Sequence, residues 1–266
     1  MRTMHVFLTR PSGRNDALLR RLSDQGARAL ELPALELLPL QVPPVLPVPA
    51  DYDMLVFVSA YAARCYLECL NKAKLTWSDT TWAATVGPSS ARALLSSGMV
   101  PPDRIVHPSM AAVSQDSENL LATLDEQGVV LHRVLIVRGA SGREWLADTL
   151  RARGIMVEVL PLYERVPATW STAQISTLGI ALQGPQDCIF VVTSGEGVTA
   201  LAAKFEEMEL RQVWARCRFL TIHPRIATTI QSVLDLPPGS PPPRIDLCAP
   251  DDESIFEGIM TALRCG

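Results

Sequence analysis

Two segments of the chain combine arginines with small residues directly after an aliphatic run. Thr9–Arg14 and Arg138–Arg143 each carry two arginines. A guanidinium group binds a carboxylate through paired hydrogen bonds, and free N–H groups at a helix N-terminus add to such a site. The pattern therefore predicts anion binding by Arg10, Arg14, Arg138, Gly139 and Arg143. For Arg14 and Arg143, a structural role on a helix surface fits the pattern equally well.

Serines and glycines occur at further turns of the same kind. Ser59, Ser90 and Ser194 each offer a hydroxyl or amide donor, and Gly195 allows a ligand to approach the backbone closely. A serine at the start of a helix is also a common N-cap. Both roles stay open for each of the three serines.

The histidines and cysteines favour neither metal nor redox chemistry. Four histidines, at positions 5, 107, 132 and 223, form no H-E-x-x-H pattern, and the six cysteines form no C-x-x-C pair. We interpret the cysteines as reduced thiols of the core. The sequence therefore predicts a protein with no bound metal.

Charge and hydropathy limit the partners of the chain. A net charge of −4 over 266 residues gives no general attraction to nucleic acid or to an anionic membrane. No apolar run reaches the roughly 20 residues of a membrane-spanning helix, and the first residues predict a strand rather than a signal peptide. We expect a cytoplasmic protein with no nucleic-acid or membrane partner.

An internal repeat defines the architecture. Residues 6–36 resemble residues 134–164, with three identical pairs 128 positions apart: Gly26 and Gly154, Pro33 and Pro161, Glu36 and Glu164. Residues 55–63 likewise resemble 189–197, and 85–94 resemble 221–230. Self-similarity of this extent indicates a duplicated structure.

Each repeated segment predicts a buried strand, a turn and an amphipathic helix. Continuous apolar runs such as MLVFV and VLIV fit strands that are covered on both faces. Leu18, Leu19 and Leu22 recur at helical spacing, and Gly26 and Gly154 predict helix ends. Parallel α/β layering follows.

Two segments predict connections between lobes. Five prolines from Pro39 to Pro49 preclude a regular helix, which predicts an extended linker over residues 38–51. The sequence VPATWS predicts a second linker over residues 165–171. The chain therefore crosses between lobes twice.

Four motifs in order resemble the uroporphyrinogen-III synthase family over nearly the whole chain: TRPSGR, FVSAYAAR, VGPSSARAL and VRGASGRE followed by LPLYERVP. The resemblance implies an α/β fold of two Rossmann-like (flavodoxin-like) parallel-sheet lobes joined by a two-stranded connector. It implies a discontinuous lobe of residues 1–37 plus 169–266 and an inserted lobe of residues 40–165. The active site is expected in the cleft between the lobes.

The resemblance also implies a reaction. Members of the family close hydroxymethylbilane, a linear tetrapyrrole rich in carboxylates, to uroporphyrinogen III, with loss of water and inversion of the last pyrrole ring. Tyr163 matches the family's cleft tyrosine and is the expected proton donor to the leaving hydroxyl. The resemblance further implies a monomer that uses no cofactor, with a transient contact to the enzyme that supplies its substrate as a further expectation.

One turn departs from the family pattern. His223-Pro224-Arg225-Ile226 stands where the family usually has a Gly-Pro-Thr-Thr-like turn, so Ile226 replaces a hydroxyl donor and Arg225 offers a substitute. This departure leaves open a catalytically degenerate relative of the family. Paired α/β lobes with crossing linkers also suit a two-lobed small-molecule binding protein that closes around its ligand.

Overall fold

The computed structural model describes residues 4–109, 117–236, 239 and 241–264. Cys265 lies outside the described residues. The chain forms two compact units. Unit 1 comprises Met1–Glu36 and Val166–Gly266, and unit 2 comprises Leu37–Arg165.

Strands and helices alternate along the described residues. The strands are β1 (His5–Leu8), β2 (Arg28–Glu31), β3 (Leu35–Pro39), β4 (Met54–Phe57), β5 (Trp82–Thr85), β6 (Ile105–Val106), β7 (Arg133–Gly139), β8 (Met156–Pro167), β9 (Cys188–Val192), β10 (Arg218–Thr221) and β11 (Arg244–Leu247). The helices are α1 (Asp16–Asp24), α2 (Ala60–Lys72), α3 (Pro88–Ser97), α4 (Ser117–Glu126), α5 (Trp145–Ala152), α6 (Thr172–Ala181), α7 (Gly195–Glu207), α8 (Arg211–Trp214), α9 (Pro224–Leu234) and α10 (Asp252–Arg264).

Each unit is built on one sheet. The described strands of unit 1 have the order β11-β10-β9-β1-β2, and those of the second sheet have the order β3-β8-β7-β4-β5-β6. The pairs from β11 to β2 are parallel, and so are the pairs from β8 to β6. The predicted α/β class with two parallel sheets is confirmed.

Both sheets follow the same flavodoxin-like order, 2-1-3-4-5. In unit 1 this order is β2-β1-β9-β10-β11, and in unit 2 it is β8-β7-β4-β5-β6. In unit 2 the β7–β8 half follows the β4–β6 half along the chain, so its connectivity is circularly permuted relative to unit 1. The two halves of each sequence repeat therefore fold into different units.

The chain passes from one unit to the other within strands. Residues 37–39 belong to β3 and residues 165–167 belong to β8, and these strands are neighbours in one sheet. Both segments include residues that the sequence predicted as linkers. Residues 40–48 have no regular element, which agrees with their proline content.

Buried side chains on both faces of the sheets explain the continuous apolar runs. Phe7, Phe190 and Phe219 are in register on adjacent strands of unit 1, and the ring centroids of Phe7 and Phe190 are 4.7 Å apart. In unit 2 every residue of Met54–Phe57 is buried, with alternate side chains in two hydrophobic clusters. Parallel strands covered on both faces are expected to have such continuous apolar sequences.

The two predicted helix ends are confirmed. α1 ends at Asp24 and α5 ends at Ala152, and the glycines that follow them, Gly26 and Gly154, have φ angles of 73° and 82°. These angles lie in the left-handed region, which glycine adopts without steric cost. The turns that begin the next strands are fixed in this way.

Candidate active site

Tyr163 lies in β8 at the carboxyl edge of the unit 2 sheet. The register places Arg138 beside Pro161 but Gly139 beside Tyr163, so β8 carries an extra residue at this point. Such a bulge interrupts the alternation of side chains, and the consecutive residues Leu162 and Tyr163 are accordingly buried in the same hydrophobic cluster. Only 1% of Tyr163 is exposed.

The hydroxyl of Tyr163 faces the start of helix α2. It lies 3.1 Å from Oγ of Ser59. Ser59 is the N-cap of α2, and its Oγ accepts a hydrogen bond of 3.1 Å from the Ala62 N–H. Because this oxygen already accepts from the helix, its own proton can go to the phenolic oxygen. Tyr163 can then direct its proton elsewhere, and the two predicted residues form one hydrogen-bonded pair.

Tyr61 and Arg165 surround Tyr163, and neither was among the residues predicted from the sequence. The Tyr61 ring meets the Tyr163 ring edge-on, with centroids 5.0 Å apart. Nη2 of Arg165 lies 3.5 Å from the Tyr163 hydroxyl, and its guanidinium carbon lies 5.8 Å from the ring centroid. Tyr61 is two residues from Ser59, and Arg165 is two residues from Tyr163. This proximity in sequence is the signal that could have identified them.

Gly139 has a steric reason to be glycine. A Cβ atom at this position would lie 3.0 Å from both Cε2 and Cζ of Tyr163. The next residue, Ala140, donates its N–H to the Tyr163 carbonyl at 2.7 Å. The end of β7 therefore supports the face and the backbone of Tyr163.

Arg138 is directed into the loop that follows its own strand. Its guanidinium donates to the carbonyls of Gly139 (3.2 Å) and Arg143 (3.3 Å) and pairs with the Glu144 carboxylate at 2.7 Å. Only 5% of the residue is exposed. The predicted carboxylate ligand is thus engaged with its own chain.

A cavity of about 250 Å³ lies beside these residues. Its lining includes Arg138, Gly139, Arg143, Tyr163 and Arg165, with Val58 and Ile136 as apolar wall. Ligand pockets for drug-sized molecules measure roughly 300–1,000 Å³, so this cavity accommodates only part of a large ligand. A larger groove of about 640 Å³ between α2 and α3 is lined by none of the predicted residues.

The two other predicted residues of unit 2 occupy different environments. The Arg143 side chain is 66% exposed and pairs with Glu118 of α4. Ser90 is buried in the first turn of α3, whose N-cap is Gly87. The N-cap role left open for Ser90 is therefore wrong.

The predicted residues of unit 1 lie at the carboxyl edge of its own sheet. Ser194 caps α7, with its Oγ accepting from the Gly197 N–H at 3.0 Å, and Gly195 is the first residue of that helix. Arg10 follows β1 and pairs with Asp252 of α10 at 2.6 Å. Arg14 is exposed on the turn before α1.

Asn15 and Gly197 are two residues of unit 1 that the sequence did not single out. The Asn15 amide donates to the Arg10 carbonyl at 3.2 Å and to Glu31 at 2.8 Å. A Cβ at Gly197 would lie 2.9 Å from the Ser194 Oγ. Asn15 therefore stabilises the turn that follows β1, and the absence of a side chain at Gly197 leaves room for the Ser194 cap.

The departure at His223–Ile226 has a structural explanation. His223 is the N-cap of α9, where its Nδ1 accepts from the Arg225 N–H at 3.0 Å. Ile226 is 8% exposed and packs in the main core cluster of unit 1. Ile226 therefore points away from the turn, as does the equivalent residue of unit 2, Ser90, which is also buried. The expectation that Ile226 removes an exposed donor is not supported by this placement.

Comparison with known proteins identifies the family. The model of the uroporphyrinogen-III synthase (HemD) family matches residues 16–236. The chain belongs to the uroporphyrinogen-III synthase family. The uroporphyrinogen-III synthase of Escherichia coli K12 is 28% identical over 228 residues, which cover 84% of this chain and 89% of that protein. The Proteus mirabilis enzyme of the same name is 30% identical over 188 residues, covering 66% and 92%.

Solved structures of the family share the fold. The crystal structure of uroporphyrinogen-III synthetase from Helicobacter pylori 26695 has a TM-score of 0.59 at 16% identity and covers 97% of this chain and 99% of that one. A mutant uroporphyrinogen III synthase from Thermus thermophilus has a TM-score of 0.57 at 18% identity, covering 99% and 100%. The predictions of a uroporphyrinogen-III synthase, of a cyclising lyase and of a role in haem biosynthesis are confirmed.

Among the described residues there is neither a membrane-spanning helix nor a cluster of metal ligands. None of the described helices is long and apolar enough to cross a membrane. Within the same part of the chain, no three His, Cys, Asp or Glu side chains are grouped so that they could hold a metal ion.

Proposed function

We propose that this chain converts hydroxymethylbilane to uroporphyrinogen III, with Tyr163 as the proton donor to the leaving hydroxyl. The observation that supports this assignment is the Tyr163–Ser59 hydroxyl pair, 3.1 Å apart, at the edge of the cavity. The Ser59 proton supports the phenolic oxygen while the phenolic proton turns toward the substrate. General-acid assistance of this kind contributes ~10²–10⁴-fold to a rate.

The chemistry begins when the terminal carbon–oxygen bond of the bilane breaks. The hydroxyl leaves as water with the donated proton, and a pyrrole nitrogen lone pair stabilises the resulting azafulvene cation. The substituted carbon of the last ring attacks this cation to form a spiro intermediate. Fragmentation and reclosure then reverse that ring, and loss of a proton restores aromaticity.

The other predicted residues are proposed to hold the carboxylates of the substrate. In unit 1 these are Arg10, Arg14, Ser194 and Gly195, which lie where strands of the sheet lead into helices. In unit 2 they are Gly139 and Arg143, because the Ser59 proton is directed at Tyr163 and the Ser90 hydroxyl is buried in α3. The Arg143 guanidinium is exposed, so it can exchange Glu118 for a substrate carboxylate at little cost, because exposed ion pairs are worth only about 0–1 kcal/mol.

Positioning must decide which isomer forms, because unassisted closure gives the type I ring. Only interactions that strengthen in the transition state for the inverted closure favour type III. Correct orientation of reacting groups is worth up to roughly 7–11 kcal/mol. Many weak carboxylate contacts around one proton donor are suited to this task.

The test is incubation of the purified chain with freshly generated hydroxymethylbilane, without added metal or cofactor, followed by oxidation and chromatography of the uroporphyrin isomers. Predominant type III product is expected. Type I alone, at the rate of the enzyme-free control, would refute the function and favour a two-lobed binding protein or a degenerate relative.

Tyr163→Phe tests the assigned residue. We expect kcat to fall about 100-fold with a small change in KM, since the lost proton acts in the transition state. Tyr52→Phe is the matched control, because Tyr52 precedes β4 at the opposite sheet edge and bonds Glu158. Equal activity of both variants would exclude Tyr163 as the donor.

We further propose that the chain works in the cytoplasm as a monomer and contacts the enzyme that supplies its substrate only transiently. Light scattering at enzyme-assay concentrations tests the monomer. A mass of twice 29.0 kDa would contradict it.

A further inference from the structure

The loop of residues 139–144 closes around the guanidinium of Arg138. Three hydrogen bonds join the Arg138 side chain to the start and the end of this loop. Gly142 of the same loop lies close to the guanidinium, since a Cβ at this position would be 3.0 Å from Nη2 of Arg138. Its φ angle of 148° is one that residues with a side chain rarely adopt. The loop conformation and the buried guanidinium therefore depend on each other.

The same loop is in direct contact with Tyr163. Gly139 faces the Tyr163 ring without room for a side chain, and the Ala140 N–H bonds the Tyr163 carbonyl. A displacement of the loop thus changes both the ring and the backbone of the proposed proton donor. Gly139 and Ala140 therefore connect the Arg138 loop to Tyr163.

The equivalent arginine of the other repeat behaves differently. Arg10 stands 128 positions before Arg138, and its guanidinium pairs with Asp252 of α10. Its loop is one residue shorter, since a single Pro11 stands where the second repeat has Gly139 and Ala140. The inward placement of Arg138 is therefore a feature of unit 2, where Tyr163 lies, and not of the repeat as such.

We infer that Arg138 is a positioning residue, which fixes the 139–144 loop so that Tyr163 is held at its place in the cavity, and that it does not bind a substrate carboxylate. The inference rests on the proposed role of Tyr163 in ring closure. The Nε and Nη1 donors of the buried guanidinium are directed at its own chain, and Gly142 lies so close to Nη2 that a Cβ there would be 3.0 Å away. Withdrawing the guanidinium leaves the Gly139 and Arg143 carbonyls without this donor, which carries a cost for each, whereas the Glu144 carboxylate, whose side chain is 57% exposed, is rehydrated.

The experiment compares Arg138→Lys, Arg138→Met and Gly142→Ala with the control Arg153→Met. Arg153 is an exposed arginine of the same unit that pairs with Asp125. For each variant, kcat, KM and the ratio of type III to type I product are measured. Incorporation of 3-fluorotyrosine at the four tyrosines adds a direct observation by ¹⁹F NMR, with the Tyr163 signal assigned from Tyr163→Phe.

Loss of positioning predicts one set of results. kcat falls about 10- to 100-fold, because small misplacements of catalytic groups reach this size, while KM changes little and the share of type I product rises. The ¹⁹F signal of Tyr163 moves, and those of Tyr52 and Tyr66 do not. Arg138→Lys, which keeps the charge near Glu144, retains more activity than Arg138→Met, and Arg153→Met resembles the unmodified chain.

A carboxylate ligand predicts the opposite. A large rise of KM in Arg138→Lys, with kcat, isomer ratio and the Tyr163 signal unchanged, would overturn the inference. If Arg138→Met does not fold, Arg138→Lys and Gly142→Ala still decide the question. Because the ¹⁹F signal is independent of activity, a moved signal with a fully active Tyr163→Phe would refute the proposed donor while establishing that Arg138 positions the Tyr163 ring through the loop.

Discussion

A methyl group at position 139 tests the packing that holds Tyr163. In Gly139→Ala the new Cβ would lie 3.0 Å from two ring carbons of Tyr163 and 3.4 Å from its carbonyl oxygen. Carbon atoms in contact prefer separations of about 3.5–4.0 Å. The ring must therefore retreat by roughly half an ångström or more, or β7 must move by the same amount.

Two consequences of this shift can be measured. Overpacking of a filled core costs about 1–3 kcal/mol, which lowers the midpoint of thermal unfolding by a few degrees. The Tyr163–Ser59 separation of 3.1 Å also changes, and a catalytic group displaced on this scale loses about 10- to 100-fold in kcat. We expect the isomer ratio to move toward type I at the same time.

Gly179→Ala is the matched control. Gly179 lies inside α6, and a Cβ there would meet no atom within 4 Å. Alanine in a helix interior is more favourable than glycine by roughly 0.5–1 kcal/mol, so this variant should be slightly more stable and fully active. An active Gly139→Ala with an unchanged isomer ratio and unfolding midpoint would refute the reasoning.

Three further predictions concern other parts of the chain. Ile226→Thr, which restores the hydroxyl of the family turn, should destabilise the protein by about 1–3 kcal/mol without raising kcat, because the side chain is buried in the core; higher activity would show that it faces the turn. Gly197→Ala should cost about 1–2 kcal/mol in thermal unfolding by disrupting the Ser194 cap, and an unchanged midpoint would contradict this. Hydrogen bonds from Arg133 and Tyr52 lower the pKa of Glu158 from its ordinary value of 4.5, so this carboxylate stabilises the fold above that pH and the contribution is lost as the pH falls below it. The difference in unfolding midpoint between the unmodified chain and Glu158→Gln should accordingly shrink as the pH falls from 7 to 4, and a constant difference would exclude the ion pair as its source.

The sheets and helix ends could be predicted because each depends on local pattern. Four consecutive buried residues in β4, or a glycine at φ 73° after α1, reflect the demands of a strand covered on both faces and of a left-handed turn. The alternation of buried strands with amphipathic helices then indicated the parallel pairing. These features need no knowledge of which side chains meet.

The details of the site could not be predicted, because they depend on which side chains meet in the folded chain. The bulge that brings Tyr163 beside Gly139 depends on a register between β7 and β8 that no local pattern encodes. Arg138 resembles a ligand in sequence because it follows a strand at a predicted anion-binding turn, whereas its inward direction depends on contacts with Gly139, Arg143 and Glu144 that the sequence does not show. The sequence aligns Ile226 with a hydroxyl residue of the family and so suggests a lost donor, although the Ile226 side chain lies in the core.

The repeat indicates where the chemistry departs from the duplicated scaffold. At the spacing of 128 that pairs Pro33 with Pro161, Tyr163 corresponds to Leu35, which is buried in the core of unit 1. Ser59 and Ser194 are equivalent N-caps, but the strand position that offers a phenol to Ser59 has an aliphatic residue in the other repeat. In the proposed function, the duplicated turns supply two sets of anion-binding donors and a single proton donor. A reaction with many carboxylates to hold and one hydroxyl to protonate requires this asymmetry.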